Sequence, residues 1–355
     1  MTATSSLSLW ESMLGEGAPG WLTAVMGLSF LYAMIIFLAA FVWYLDRKLG
    51  ADFQARVGPN RAGRAGILQP LADLLKLLQK EAIPTRNWRE AIWLGIHTMA
   101  LYSTVAVLPL GSLTLFVDTD MSAFLPFWAA LVVALGTLML GHSQRTVPGW
   151  FGGVRVATQG ISGAFPALVA LVCAGIHSGG FRWSSMATAQ GAFPHQWTIV
   201  SDPFQFLAFC VFMISGLVLL SIPPMDAGHS LPDIHGGVAS NLYGRRYVLF
   251  RLGRFYGFFL WSVIAVVLFL GAWVLPGGLD EAARESQSAG PVHFLELSWL
   301  LGKTILLMVL ILWVARVNPR SRVDQITDFT WKVLSPFSLL ALIGTALWTT
   351  WRSLA

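Results

Sequence analysis

DRKLGADFQARVGPNRAGRAGILQPLADLLKLLQKE, the stretch from Asp46 to Glu81, is the one long charged interval between the apolar segments of this chain. Its first half is rich in Arg, Gly and Pro, and its second half alternates leucines with polar residues. A segment this polar between apolar segments is expected at the water face of a membrane.

The two halves of this stretch predict different structures. Between Gln54 and Gly66, Pro59 lacks a backbone donor and the glycines loosen the backbone, so a shaped loop is expected. Over residues 66–81 the leucines share one face at helical spacing and the charges another, which predicts an amphipathic helix lying at the interface. Periodicity alone leaves open whether this helix is a solvated surface element or forms part of a pocket or docking site.

The composition is typical of a polytopic membrane protein. The chain is 55% hydrophobic and only 12% charged, with a mean hydropathy of +0.65, which leaves too little polar surface for a soluble globule. The basic residues lie in short loops between apolar segments, so nucleic-acid binding is not expected. Cys173 and Cys210 both lie in apolar segments, which predicts neither a disulfide framework nor a cysteine ligand set.

Eight transmembrane helices are predicted in a single all-α membrane domain covering residues 1–355, at about 20 apolar residues per crossing. The predicted spans are 21–45, 91–116, 124–140, 159–176, 204–222, 248–275, 297–314 and 331–350. Gly160, Gly163 and Pro166 interrupt the fourth of them. Aromatic residues near span ends, such as Trp43 and Trp331, fit interfacial belts.

The distribution of positive charge predicts the orientation. Most of the 23 Lys and Arg residues lie in loops that follow odd-numbered spans. By the positive-inside rule these loops face the cytoplasm, which places both termini on the periplasmic side of a bacterial inner membrane.

Several motifs carry a family resemblance. RVGPNRAG (56–63), GILQPLADLLKLLQKE (66–81), RVATQGIS (155–162) and RVNPRSRVDQITDFTWKVLSP (316–336) resemble signatures of the subunit 1 family of respiratory complex I, the NADH:quinone oxidoreductase. The same motifs resemble relatives in membrane-bound hydrogenases. YLDRK (44–48) is similar to the exit of that family's first span, with Asp46 where a glutamate is usual. The resemblance covers nearly the whole chain.

The resemblance implies a subunit that helps form a quinone chamber and couples electron transfer to proton translocation, with no covalently bound cofactor. The implied partners are the bilayer, other membrane-arm subunits and the iron-sulfur subunits of the peripheral arm, which hold the clusters and flavin. Residues carried over by motif as chamber or docking residues are Arg47, Gln54, Arg56, Gly58, Pro59, Asn60, Arg61, Gln69, Pro70, Asp73, Lys76 and Glu81. For each arginine, docking of a partner is the alternative to contact with the quinone.

Departures from the family pattern affect the expected proton path. The loop after the fifth span, PPMDAGHSLPDIHGGVASNLYGRRYVLFRLGRFYG (223–257), lacks most of the family's carboxylates, and Ala164 and Arg254 stand where glutamates are usual. Buried arginines need partners, and Asp226 and Asp233 are candidates for Arg251 and Arg254. Histidines titrate near neutrality, so His229 and His235 could carry protons in place of the missing carboxylates. The residues of a possible proton path are Asp226, His229, Asp233, His235, Arg251 and Arg254.

Three functional interpretations follow. The first is a membrane-arm subunit of a complex I-type NADH:quinone oxidoreductase, and the second an anchor subunit of a hydrogenase-like or other-donor complex with altered or lost proton coupling. The third, a standalone carrier, is disfavoured because no span holds an internal acidic pair and no inverted repeat is visible. The loop carboxylates and histidines have no enforced geometry, so no metal site is predicted, and the chain is expected to be an enzyme only as part of a complex.

Overall fold

Residues 20–81, 88–109, 118–191, 193–229, 237–276 and 289–354 are described by the structure, a computed structural model. Within those ranges every regular element is helical. The α-helices are α1 (Gly20–Phe53), α2 (Gln69–Gln79), α3 (Trp88–Ser103), α4 (Leu125–Ser143), α5 (Val147–Ser178), α6 (Trp183–Thr188), α7 (Thr198–Ser201), α8 (Pro203–Leu219), α9 (Arg245–Phe269), α10 (Ala289–Val317), α11 (Val323–Phe329) and α12 (Ser335–Leu354).

The long helices overlap the predicted spans, and five segments of the described chain are long and apolar enough to cross a membrane. These five are Ser122–Ser143, Val147–Ser178, Arg245–Phe269, Val292–Val317 and Val323–Leu354. The other three predicted spans overlap α1, α3 and α8. Of these, α3 has only 16 residues and α8 only 17. The chain is therefore a multi-pass membrane protein, whereas the number eight and the sidedness of the termini stay predictions.

Two of the predicted spans lie inside longer helices. The fourth span was expected at 159–176, but α5 is continuous from Val147 to Ser178 and contains Pro166. Small residues are buried along its first turns, so the interruption predicted from glycine and proline does not occur. The last span was expected at 331–350, but the helix runs from Val323 to Leu354 through a π turn at Thr330–Leu334.

Two helices organise the packing. α5 lies against α4, α8 and α12, and α9 lies against α1, α3 and α10. Of the most apolar 18 residues of α9, 89% are buried, so this helix runs through the interior of the bundle. Trp261 of α9 stacks on Phe212 of α8 with ring centres 4.3 Å apart. Gly216 permits this approach because a Cβ there would clash with the Trp261 indole.

The amphipathic helix α2 is attached to the bundle by one side only. It contacts α1 and α9, and Leu74 and Leu77 pack against the core. Other apolar side chains of the predicted face stay exposed, including Leu71 (54% exposed) and Leu75 (51%). An exposed leucine ridge on a helix this polar fits a position at the membrane interface.

Candidate functional site

The loop between α1 and α2 folds back on the end of α1. The N–H groups of Gln54 and Arg56 both donate to the carbonyl of Ala51 at 3.0 Å, and the Tyr44 hydroxyl donates to the carbonyl of Ala65 at 3.0 Å. Gly66 has φ 79°, and a Cβ there would clash with the Pro59 carbonyl. The glycine therefore lets the loop close tightly, as the Arg, Gly and Pro composition predicts.

Asp73 connects α2 to α1. Its carboxylate forms an ion pair with Arg47 of α1 and accepts a hydrogen bond of 2.9 Å from the Gln69 side chain. The side chain of Asp73 is only 18% exposed. The ion pair of Arg47 with Asp73 thus ties α2 to α1.

A cavity of about 280 Å³, here called the loop cavity, opens beside this loop. Five residues of the motif set predicted from sequence line it together: Arg47, Gln54, Arg56, Gly58 and Pro59. Arg56 is exposed and forms no ion pair among the described residues. Its guanidinium is therefore available to a ligand or to a partner.

A second cavity of about 360 Å³, here called the arginine cavity, lies between α1, α9 and the end of α10. Its lining combines aromatic and apolar side chains with four arginines and two aspartates. The charged lining residues are Asp46, Asp226, Arg251, Arg254, Arg316 and Arg320. Among these described lining residues the arginines outnumber the aspartates, so the cavity is basic. This agrees with the lack of carboxylates, relative to the family pattern, in the loop after the fifth predicted span.

Asp46 and Arg316 line both cavities. Arg316, in the last turn of α10, forms an ion pair with the Asp46 carboxylate and donates to the Asp46 carbonyl at 3.3 Å. Gly50, one turn along α1, leaves room for the guanidinium of Arg316. This ion pair therefore stands at the junction of the two cavities.

Arg251 and Arg254 of α9 are held by aromatic rings and by hydroxyl or carbonyl oxygens. The Arg251 guanidinium lies 4.4 Å from the centre of the Trp43 ring and donates to the Tyr247 hydroxyl at 2.8 Å. Arg254 donates to the carbonyl of Ser221 at 3.1 Å. Trp43 is 1% exposed, and its ring packs between Arg251 and Arg47, whereas its depth in the membrane stays a prediction.

Asp226 is buried, at 4% exposure, and its Oδ2 lies 3.5 Å from Arg320. Its ion pair within the described chain is with Arg320, from the loop after α10, and not with Arg251 or Arg254, the partners considered from sequence, although Asp226 still interacts electrostatically with Arg254. The other carboxylate oxygen, Oδ1, is buried without a hydrogen-bond partner among the described residues. Asp226 therefore presents a free acceptor close to the arginine cavity that it lines.

The remaining predicted residues divide into three groups. Asn60, Arg61, Lys76 and Glu81 are exposed, and Pro70 is buried in the first turn of α2. Asp233 and His235 lie outside the described residues. His229 ends the short 3-10 turn Ala227–His229, and its side chain is not described.

Four polar lining residues are not predicted as site residues from sequence: Asp46, Tyr247, Arg316 and Arg320. Asp46 stands out in sequence only as a departure from glutamate. The signal for the two arginines is the family-like motif that begins at Arg316 and includes Arg320.

The chain is similar to known proteins over almost its full length. A sequence model of the family described as NADH dehydrogenase matches residues 26–346. Proteins named as the H subunit of NADH-quinone oxidoreductase from Chlorobaculum parvum and Chlorobaculum tepidum are 30% and 31% identical, each over 98% of this chain and 99% of the relative. One of the same name from Anaeromyxobacter dehalogenans is 30% identical over 86% of this chain and 77% of its own length.

Proposed function

The chain belongs to the NADH dehydrogenase family as a divergent member, and from that premise we propose that it is a membrane-arm subunit of a complex I-type NADH:quinone oxidoreductase. In this proposal the chain helps form the quinone-binding chamber and couples quinone reduction to proton translocation. Its partners are the other membrane-arm subunits and the iron-sulfur subunits of the peripheral arm, in a bacterial inner membrane. The relatives reported above are named for this enzyme, and none for a hydrogenase.

The observation that carries the proposal is the junction of the two cavities at the Asp46–Arg316 pair. The loop cavity is built from the RVGPNRAG motif, and the arginine cavity from the start of α9 and the motif that begins at Arg316. Three separate segments that resemble the family, YLDRK, RVGPNRAG and the motif that begins at Arg316, thus meet at the loop cavity. Packing of the hydrocarbon core does not require this convergence of polar residues in a membrane protein.

The lining of the arginine cavity fits a quinone headgroup. Phe250, Phe255 and Phe258 supply aromatic surface against a flat ring, and the guanidinium groups supply donors for carbonyl oxygens. When bound, the quinone supplies the two-electron acceptor chemistry that this chain lacks. The exposed leucines of α2, the helix that Asp73 ties to Arg47, offer an apolar surface along which an isoprenoid tail can leave the bilayer.

Proton coupling in this chain is proposed to rest on fewer carboxylates than in the family pattern. Asp226 is the buried carboxylate of the arginine cavity, and its unpaired Oδ1 can accept a proton or a hydrogen bond. Arg320, held by Asp226 at 3.5 Å and 49% exposed, would lose its counter-charge when that carboxyl is protonated. Protonation of Asp226 in the cavity can therefore release Arg320 and alter the position of the loop after α10.

A photoreactive quinone tests the proposal on the intact native complex. After illumination of membranes, peptides covering Asp46–Arg61 or Tyr247–Phe258 should carry the label, and an excess of unlabelled quinone should prevent labelling. The purified complex should also contain iron-sulfur subunits. Labelling confined to other subunits would remove the chamber role, and an assembly without iron-sulfur subunits would remove the family-level function.

A further inference from the structure

A groove of about 690 Å³ opens at the same end of the bundle as the candidate site, between the start of α3, the end of α4 and the start of α5. We call it the aromatic groove, after the residues Trp88, Trp93, Trp150 and Phe151 that line it. Trp88 is 68% exposed and Phe151 is 56% exposed, whereas Trp93 is half-buried and packs on the core. The groove shares no lining residue with the loop cavity or the arginine cavity.

Two arginines lie in this groove without a carboxylate partner in the described part of the chain. Arg89 and Arg145 are both exposed lining residues. The Arg89 guanidinium lies 5.8 Å from the centre of the Trp88 ring, and Glu90, its neighbour in sequence, is buried and forms an ion pair of 3.1 Å with Arg246. The Glu90 carboxylate is therefore paired with Arg246 and does not neutralise Arg89, so the groove carries the positive charges of Arg89 and Arg145.

The N-terminus of α5 adds to this positive potential. α5 starts at Val147, and its N-cap residue Thr146 makes no side-chain hydrogen bond to the first turn. The Thr146 hydroxyl instead accepts a hydrogen bond of 2.8 Å from Asn241. Pro148 has no N–H and the Trp150 N–H donates to the carbonyl of Thr146, so the start of this 32-residue helix contributes mainly through its dipole, which favours an anion beside Arg145.

We propose that the aromatic groove binds one anionic glycerophospholipid of the bilayer. Its phosphate lies between Arg89, Arg145 and the start of α5, and its acyl chains run along the apolar side chains of Ile92, Met139 and Phe151. The two arginines match the negative phosphate of such a lipid, and the apolar and aromatic side chains match its acyl chains. Basic pockets between membrane helices recognise lipid headgroups in this way, and a small soluble anion would leave the apolar floor exposed.

The test measures retained phospholipid in the native complex. The complex is purified as wild type and as Arg89→Gln/Arg145→Gln, reconstituted in phosphatidylcholine nanodiscs, and titrated with phosphatidylglycerol while bound lipid is counted by native mass spectrometry. We expect one high-affinity site in the wild type, weakened about fivefold by each single change and about 25-fold by both. Arg89→Lys/Arg145→Lys should retain the site, since it keeps both charges.

Arg155→Gln is the matched control. Arg155 is an exposed arginine of α5 that does not line the groove, and its removal should leave the affinity unchanged. Equal affinity in wild type and the double Gln variant would overturn the proposal, as would equal binding of phosphatidylglycerol and phosphatidylcholine. Displacement of the lipid by millimolar inorganic phosphate would reassign the site to a free anion, and a partner subunit filling the groove in the complex would exclude the lipid.

Discussion

Arg316 of α10 forms an ion pair with Asp46 of α1, across 270 positions of sequence, at the junction of the loop cavity and the arginine cavity. The two side chains are 30% and 24% exposed. Removing one partner of a pair shielded to this degree costs more than breaking a solvated surface pair, because the remaining charge is left partly desolvated without a counter-charge.

The Asp46–Arg316 pair predicts coupled effects on quinone reduction. We expect Asp46→Asn and Arg316→Gln each to lower the rate about tenfold, because the unpaired partner can turn toward other charges of the arginine cavity. The double variant should be no slower than either single variant, since both changes remove the same interaction. The rate of NADH-driven quinone reduction measures this.

Asp328→Asn is the control for that cycle. Asp328 and Lys332 form an ion pair of 2.6 Å on the surface, with side chains 66% and 72% exposed. Its loss should change the rate by less than about twofold. Strictly additive effects of the Asp46 and Arg316 changes would contradict a shared role.

Arg56 is expected to act in quinone binding rather than in folding. It lines the loop cavity, is exposed, and has no ion pair among the described residues, so Arg56→Gln should leave assembly intact. We expect quinone reduction to fall about tenfold through a higher KM, while electron transfer from NADH to a hydrophilic acceptor upstream is unchanged. Arg64→Gln, an exposed arginine of the same loop outside the cavity, should match the wild type. Unchanged KM for Arg56→Gln would reduce this residue to a scaffold or docking role.

Asp73 is expected to hold α2 in place. Asp73→Ala leaves Arg47 without its partner and removes the acceptor for Gln69, at a cost of roughly 1–3 kcal/mol. Trypsin should then cut more rapidly after Arg61 and Arg64 in the adjoining loop, and quinone reduction should fall. Asp52→Asn, at an exposed position of α1, serves as the control. A digestion rate equal to that of the wild type would show that the ion pair does not anchor this helix.

Asp226 is expected to be needed for the full number of protons translocated per electron. Asp226→Asn keeps the size of the side chain but removes the protonation site beside Arg320. In liposomes containing the complex, the number of protons moved per electron should fall. The rate at which electrons enter the complex from NADH should stay unchanged. Asp324→Asn, an exposed aspartate near the start of α11, should keep the wild-type ratio. The same ratio in both variants would exclude Asp226 from the path, and a wild-type ratio of zero would favour a complex that has lost coupling.

Local sequence was enough to determine the class of the fold and to single out five residues that lie around one cavity. Apolar segments of bilayer length predicted the long helices, because in lipid the backbone must satisfy its own hydrogen bonds. The leucine spacing after Ile67 predicted α2, found at Gln69–Gln79, because the two faces of a helix meet different environments. The RVGPNRAG motif and the residues just before it predicted five residues that line one cavity together.

Tertiary structure alone decided which charges meet. Asp46 contacts Arg316, and Asp226 contacts Arg320 rather than Arg251 or Arg254, because helix packing brings the end of α10 to the loop and to α1. Trp43 is buried between two arginines, since α9 packs against α1 there. Ion pairs between distant segments depend on how helices are arranged in space, and the spacing of residues along one helix does not encode that arrangement.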